Sequence, residues 1–187
     1  TDHISQAGPW LKFRGHLDNI SNNMFLGATN AFTGGTGTGN NPVSGDSDIE
    51  INKIARNLKD QGLGWVAVGD ENIGEGSSRE HAAMEPRHMG GRAFIAKSYA
   101  RIFEANLKKQ GVLALTFIEK NDFDKIQEQD KITISGLSNL TPEKNLTVTL
   151  EHKAGGTDEI NVSHTLNEQE IQWFNHGSAL NYVGSQK

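Results

Sequence analysis

The stretch Gly74-Glu75-Gly76-Ser77-Ser78-Arg79-Glu80 gathers the residue types in this chain best suited to chemistry. Its two glycines let backbone come close to a ligand. Its two hydroxyls can donate or accept, and its guanidinium offers a planar fork that meets a carboxylate or phosphate through two parallel hydrogen bonds. The stretch follows the apolar run Trp65–Val68 and precedes residues of helical character, so it is expected to cross from a strand to a helix. Unpaired N–H groups and the positive end of a helix dipole make such a crossing an anion site. The residues therefore point to an anionic ligand held by backbone amides, hydroxyls and Arg79.

Blander readings compete for the same residues. Ser77 with Glu80 fits a Ser-x-x-Glu capping box, in which the serine only starts a helix, and spacing alone leaves that reading evenly matched with the first. Gly69-x4-Gly74 imitates the first half of a phosphate-binding P-loop, but Glu75 stands where the lysine must be and would repel a nucleotide. Gly35-x-Gly37-x-Gly39 resembles a dinucleotide fingerprint only loosely, because no strand precedes it. The 7 histidines form no His-x3-His or His-Glu-x-x-His pair, so no metal site is expected. His81 and His88 read as helix-surface or core-edge residues. Lys108-Lys109 reads as a solvated pair offsetting a helix dipole, and Trp173-Phe174 as core.

The elements that must position the crossing follow from pattern and punctuation. Residues 33–47 are Gly-, Thr- and Asn-rich and read as a flexible surface loop. Ser47 or Asp48 is expected to cap a helix carrying Ile51, Ile54, Ala55 and Leu58, with Gly62 ending it. Trp65–Val68, Ala93–Ala96 and Leu113–Phe117 read as buried strands. A helix is expected from about Arg79, ended or kinked by Pro86. Another is expected to be capped by Ser98 and to close on Lys108 and Lys109 before Gly111. Lys131–Ser135 and Leu146–His152 alternate like strands of an antiparallel layer. Asn167 with Glu170 forms a capping-box pattern for a last helix, through Trp173 and Phe174 to Gly177. The pattern predicts one mixed α/β domain over residues 1–187.

At 187 residues the chain can bury a core of its own. Its net charge of −5 argues against a nucleic-acid partner, and no apolar run approaches the roughly 18 residues of a membrane span. It contains 0 cysteines, which excludes disulfides, thiol nucleophiles and thiolate-held clusters on this chain. The four Asn-x-Ser/Thr sites, at Asn19, Asn139, Asn145 and Asn161, read as chance. The opening Thr1-Asp2-His3-Ile4-Ser5 carries no initiator Met, so a processed end or a cut within a longer chain is expected.

Thr1-Asp2-His3-Ile4-Ser5, Trp10–Leu17, Gly74–Ala83, Glu85-Pro86-Arg87-His88, Lys97–Ile102, Asn106–Gly111 and Gly177–Asn181 together resemble the C-terminal swivelling domain of mitochondrial-type aconitases. The likeness runs from Thr1 to about Asn181. The sequence departs from the pattern at Gln6, at Ile73 and through the 33–47 loop.

That resemblance implies a β/β/α swivelling fold and a share in a hydro-lyase that interconverts citrate and isocitrate through cis-aconitate in the tricarboxylic acid cycle. It implies Ser77 as the base, Ser78 as a substrate hydrogen-bonding group, and Arg14 and Arg79 as carboxylate holders. Asp2 and Ser5 would belong to the supporting polar shell. The [4Fe–4S] cluster it implies requires cysteine ligands, which must come from the missing N-terminal domains. The chain alone is then expected to be inactive. The compartment implied is the mitochondrial matrix, or the cytoplasm for a bacterial protein. The alternative is a separately encoded small subunit of an isopropylmalate-isomerase-like hydro-lyase.

Overall fold

A computed structural model describes residues 1–186. In chain order the regular elements are α1 (Leu17–Ile20), β1 (Thr38–Gly39), β2 (Ile49–Glu50), α2 (Ile51–Asp60), β3 (Trp65–Gly69), α3 (His81–His88), β4 (Gly91–Ala96), α4 (Arg101–Lys109), β5 (Leu113–Phe117), β6 (Lys131–Ser135), β7 (Leu146–Glu151), β8 (Thr157–Ser163), α5 (Glu168–Asn175) and α6 (Ala179–Ser185). Six strands form one sheet in the order β3-β4-β5-β8-β7-β6. The first three are parallel, and the pairs from β5 through β8 and β7 to β6 are antiparallel. The mixed α/β class expected from the sequence is the observed one.

Hydrophobic pattern explains the two halves. Parallel neighbours need crossovers, which α3 and α4 supply, and strands covered on both faces read as unbroken apolar runs. In β4, Ala93 and Ile95 face one core with Leu113, Leu115, Val148, Leu150, Ile160, Val162 and Ile171. Phe94, one residue out of phase, faces a second core with Ala82, Ala83, Phe103, Leu107 and Ile4. Ile4 draws the start of the chain under α3 and α4. By contrast β6 and β7 alternate in burial, as one-sided strands should.

The helix ends follow local chemistry closely. Gly62 and Gly111 adopt φ of 72° and 68°. Leu63 N–H then reaches Leu58 O at 2.9 Å and Val112 N–H reaches Leu107 O at 3.0 Å. Such closing bonds satisfy carbonyls a helix would otherwise leave open. Asn167 and Glu170 make the expected capping box at α5.

Several expectations fail at helix starts. Ser47 and Asp48 do not cap α2, because Ile49–Glu50 pair with Thr38–Gly39 as a short ribbon and the helix begins directly after it. Part of the 33–47 stretch is thereby paired β-structure. Ser98 does not cap α4, since its Oγ accepts the Asn72 N–H at 2.7 Å. Of the two outcomes expected at Pro86, an end to α3 there is not the one observed: Met89 N–H still bonds Glu85 O at 2.9 Å, carrying the helix beyond the proline.

Lys108 is not solvated. Only 9% exposed, it lies 3.4 Å from Glu170 and donates to Thr165 O at 3.0 Å, tying α4 to the start of α5. Phe174 packs against the first core but is half-buried, as is Trp173. Strand β8 and helix α6 carried no clear sequence signal. The first three residues of β8, Thr157, Asp158 and Glu159, are exposed and polar, and pairing with β7 makes them a strand.

Candidate functional site

The crossing from β3 to α3 is built by strand continuation. Ile73 N–H donates to Ser98 O at 3.1 Å and Ala100 N–H to Ile73 O at 3.0 Å, a parallel bridge beyond the ends of β3 and β4. The crossing therefore lies outside the carboxyl ends of parallel strands, where open α/β sheets place ligands. Gly74 has φ 81°, and a Cβ there would stand 2.2 Å from Phe103 Cγ. Left-handed backbone and a ring in the way both demand glycine. Gly74→Ala is accordingly expected to cost about 2–4 kcal/mol. Thermal unfolding of both proteins checks this, and an unchanged Tm would mean that Phe103 does not floor the crossing.

The segment Thr1–Ser5 straps the crossing from one side. Ser5 N–H returns to Thr1 O at 2.8 Å, and Phe25 N–H bonds Ile4 O at 2.9 Å. The Thr1 hydroxyl lies 2.8 Å from Gly74 O and 2.7 Å from Ser77 O, its single proton serving one carbonyl at a time. The Asp2 carboxylate accepts from Arg79 Nη2. That hydrogen bond is the main cause holding the Asp2 carboxyl below its ordinary range. Asp2 is 69% exposed against 17% for Arg79, so the pair contributes at most about 1 kcal/mol and is readily exchanged.

Ser5 reaches below the surface, where its hydroxyl donates to Glu85 Oε1 at 2.8 Å. Glu85 is completely buried on α3. Burial pushes its carboxyl up to about 8, against the opposing pull of the Ser5 hydrogen bond and the Arg79 charge.

Ser77, Ser78 and Arg79 line an open hollow of about 600 Å³ together with Arg101, Phe103 and Asn106. Ser77 and Ser78 are exposed. The capping position of α3 falls at Glu80, where no side chain makes a capping bond. The capping box drawn from Ser77 and Glu80 is thus not formed, and the helix begins two residues later than Arg79.

The structure brings Ser77, Ser78, Arg79 and Asp2 together, with Ser5 beneath them. Arg14 is not among the residues lining the hollow. It follows a 3-10 turn, Gly8–Phe13, and its carbonyl accepts from the His81 ring at 2.9 Å. The segment after it runs along α3, since the His88 ring meets Asp18 at 2.9 Å and, more than Arg56, holds that carboxyl down to about 2. Sequence reasoning missed Thr1, Arg101, Asn106 and Glu85. Glu85 carried one usable signal: a lone carboxylate among Ala82, Ala83 and Pro86 on the buried side of a short helix. Among the described residues no three His, Cys, Asp or Glu side chains converge as a metal site.

The family described as aconitase C-terminal domain matches this chain over residues 1–120. The probable mitochondrial aconitate hydratase of Dictyostelium discoideum is 55% identical over 188 residues, covering 100% of this chain and 24% of that protein. Its counterpart in Caenorhabditis elegans is 58% identical, covering 97% of this chain and 23% of that protein. The mitochondrial aconitate hydratase of Saccharomyces cerevisiae is 52% identical over 98% of this chain and 23% of its own length. The chain spans about a quarter of the length of these relatives. The crystal structure of a 3-isopropylmalate dehydratase from Methanocaldococcus jannaschii superposes with a TM-score of 0.57, covering 99% of this chain and 86% of that one. At 19% identity that likeness speaks for the fold alone.

Proposed function

Since the chain belongs to the aconitase C-terminal domain family, we propose that residues 1–187 form the domain of an aconitate hydratase that supplies the base and the carboxylate clamps. Citrate, cis-aconitate and isocitrate are the proposed ligands. The rest of a longer enzyme is the proposed partner, and the mitochondrial matrix, after the relatives' names, the proposed compartment. The observation that carries this reading is an exposed Ser77, outside the α3 cap, beside an Arg79 fork whose outer edge is held by a solvent-facing carboxylate. Asp2 occupies Arg79 as a substrate carboxylate would, and the exposed pair is weak enough to give way to one.

The chemistry follows from charge. Removing a proton from carbon beside a carboxylate builds further negative charge, so fixed donors must already face it. Ser77 Oγ, as alkoxide, takes that proton and becomes the hydroxyl again. An alkoxide needs a positive, dry surrounding, which Arg79 and helix α3 help to provide once a ligand closes the hollow. Ser78 donates to the substrate, and Arg14, whose backbone abuts α3 at His81, closes over a second carboxylate.

The donors of this chain do not fit a [4Fe–4S] cluster, because it has 0 cysteines and its described residues offer no converging ligands. The cluster that the family implies is assigned to the rest of the longer enzyme, and the chain alone is expected to be inactive.

Titrating the chain with citrate tests the site. The amides of Ser77–Glu80 are expected to shift in an NMR spectrum with a Kd of about 1 mM or weaker, near −4 kcal/mol, because exposed charges are screened. Shifts confined to other parts of the sheet would refute the assignment.

A further inference from the structure

Two buried polar atoms beneath the hollow lack partners: Arg79 Nε, a donor, and Glu85 Oε2, an acceptor in the carboxylate form. An orphaned buried group is costly, so complementary orphans in one interior call for an explanation. Glu85 is 0% exposed, its other oxygen is fixed by Ser5 at 2.8 Å, and Arg79 is the charge acting on it. Ser5 and Asp2 stand on the same short strap, so the strap holds Glu85 with one residue and Arg79 with another.

We propose that Glu85 is the positioning residue of the Arg79 clamp: when a substrate carboxylate displaces Asp2, Glu85 gives up its proton to water and, as carboxylate, accepts the Arg79 Nε–H at Oε2 through a side-chain rotation or one buried water. A guanidinium offers its donors from two edges. Held at Nε from behind, Arg79 keeps both Nη groups for the ligand, and the fork stays in the plane a carboxylate requires. Held by Asp2 alone, its head would follow an exposed side chain. The buried carboxyl thus sets the angle of the clamp without touching substrate. This inference rests on the substrate-clamp reading of Arg79.

The test uses the full-length enzyme that contains this domain. Glu85→Gln keeps shape and an acceptor for Ser5 but turns an amide N–H toward Arg79 Nε–H. KM for citrate is expected to rise about tenfold, or about 1.4 kcal/mol, while kcat changes less than about threefold. A purely structural role would instead lower Tm and the active fraction and leave KM unchanged. In an Arg79→Lys background, where no Nε–H fork exists, Glu85→Gln is expected to add almost nothing to KM. Should Glu85→Gln not fold, Ser5→Ala, which frees the carboxyl from the strap, is expected to raise KM a few-fold. An unchanged KM in the folded variant, or additive effects in the double variant, would overturn the proposal. If Arg79→Lys raises KM and the Glu85 or Ser5 variant does not, only this inference falls. If Arg79→Lys leaves KM unchanged, the substrate-clamp reading fails and takes this one with it.

Discussion

Replacing Ser77 by alanine in the full-length enzyme is expected to lower kcat by about 10²–10⁴-fold while barely moving KM or Tm. A positioned base contributes that much, about 3–5 kcal/mol of barrier. The competing role as a helix cap makes the opposite demand: a stability loss of about 1 kcal/mol with turnover intact. Geometry already weakens the cap, since the capping position of α3 is Glu80 and no side chain makes a capping bond there. An exposed side chain outside a cap normally alters stability by no more than about 0.5 kcal/mol when truncated. Turnover and melting curves on one preparation separate the two roles. A variant that turns over citrate normally would remove Ser77 from the chemistry.

Arg79→Lys is expected to lower kcat/KM by about 10–100-fold, with KM accounting for much of it. Lysine keeps the charge but loses the planar fork, and hydrogen bonds to charged groups are worth about 1.5–3 kcal/mol each. The cost to stability should be small, because the ion pair that is lost faces water through a 69% exposed Asp2. Steady-state kinetics beside a melting curve check both halves. A variant with normal KM and rate would show that carboxylates are held elsewhere, with Arg14 the next residue to replace.

Legibility differed by element for physical reasons. The three parallel strands stand out because burial on both faces leaves long apolar runs such as Ala93–Ala96. Gly62, Gly111 and the Asn167–Glu170 box mark helix ends because a cap depends on residues only three to five positions apart. The same local rules mislead at Ser47, Asp48, Ser77 and Ser98. There a nearby hydroxyl or carboxylate satisfies a capping pattern, but the segment is engaged instead by a strand partner, by Thr1 or by Asn72. Lys108 misled in a related way. Its place in a last helical turn suggests solvent, and only the arrival of Glu170 from α5 buries it.

By itself the sequence determined the class of the fold, the strand-to-helix crossing with its serines and arginine, and, through its combined motifs, the family. All of these rest on residue types within one short window or on patterns repeated along it. The tertiary structure alone decided that Asp2 meets Arg79 across 77 residues and that Ser5 meets Glu85 across 80. It also decided that Ser77 stays outside the helix cap, and that Arg14 touches α3 through its backbone without lining the hollow. Contacts of that range depend on sheet order and on Ile4 entering the core between α3 and α4. No local preference encodes such a placement, because it is the joint burial of apolar residues far apart in the chain that brings the strap to the crossing.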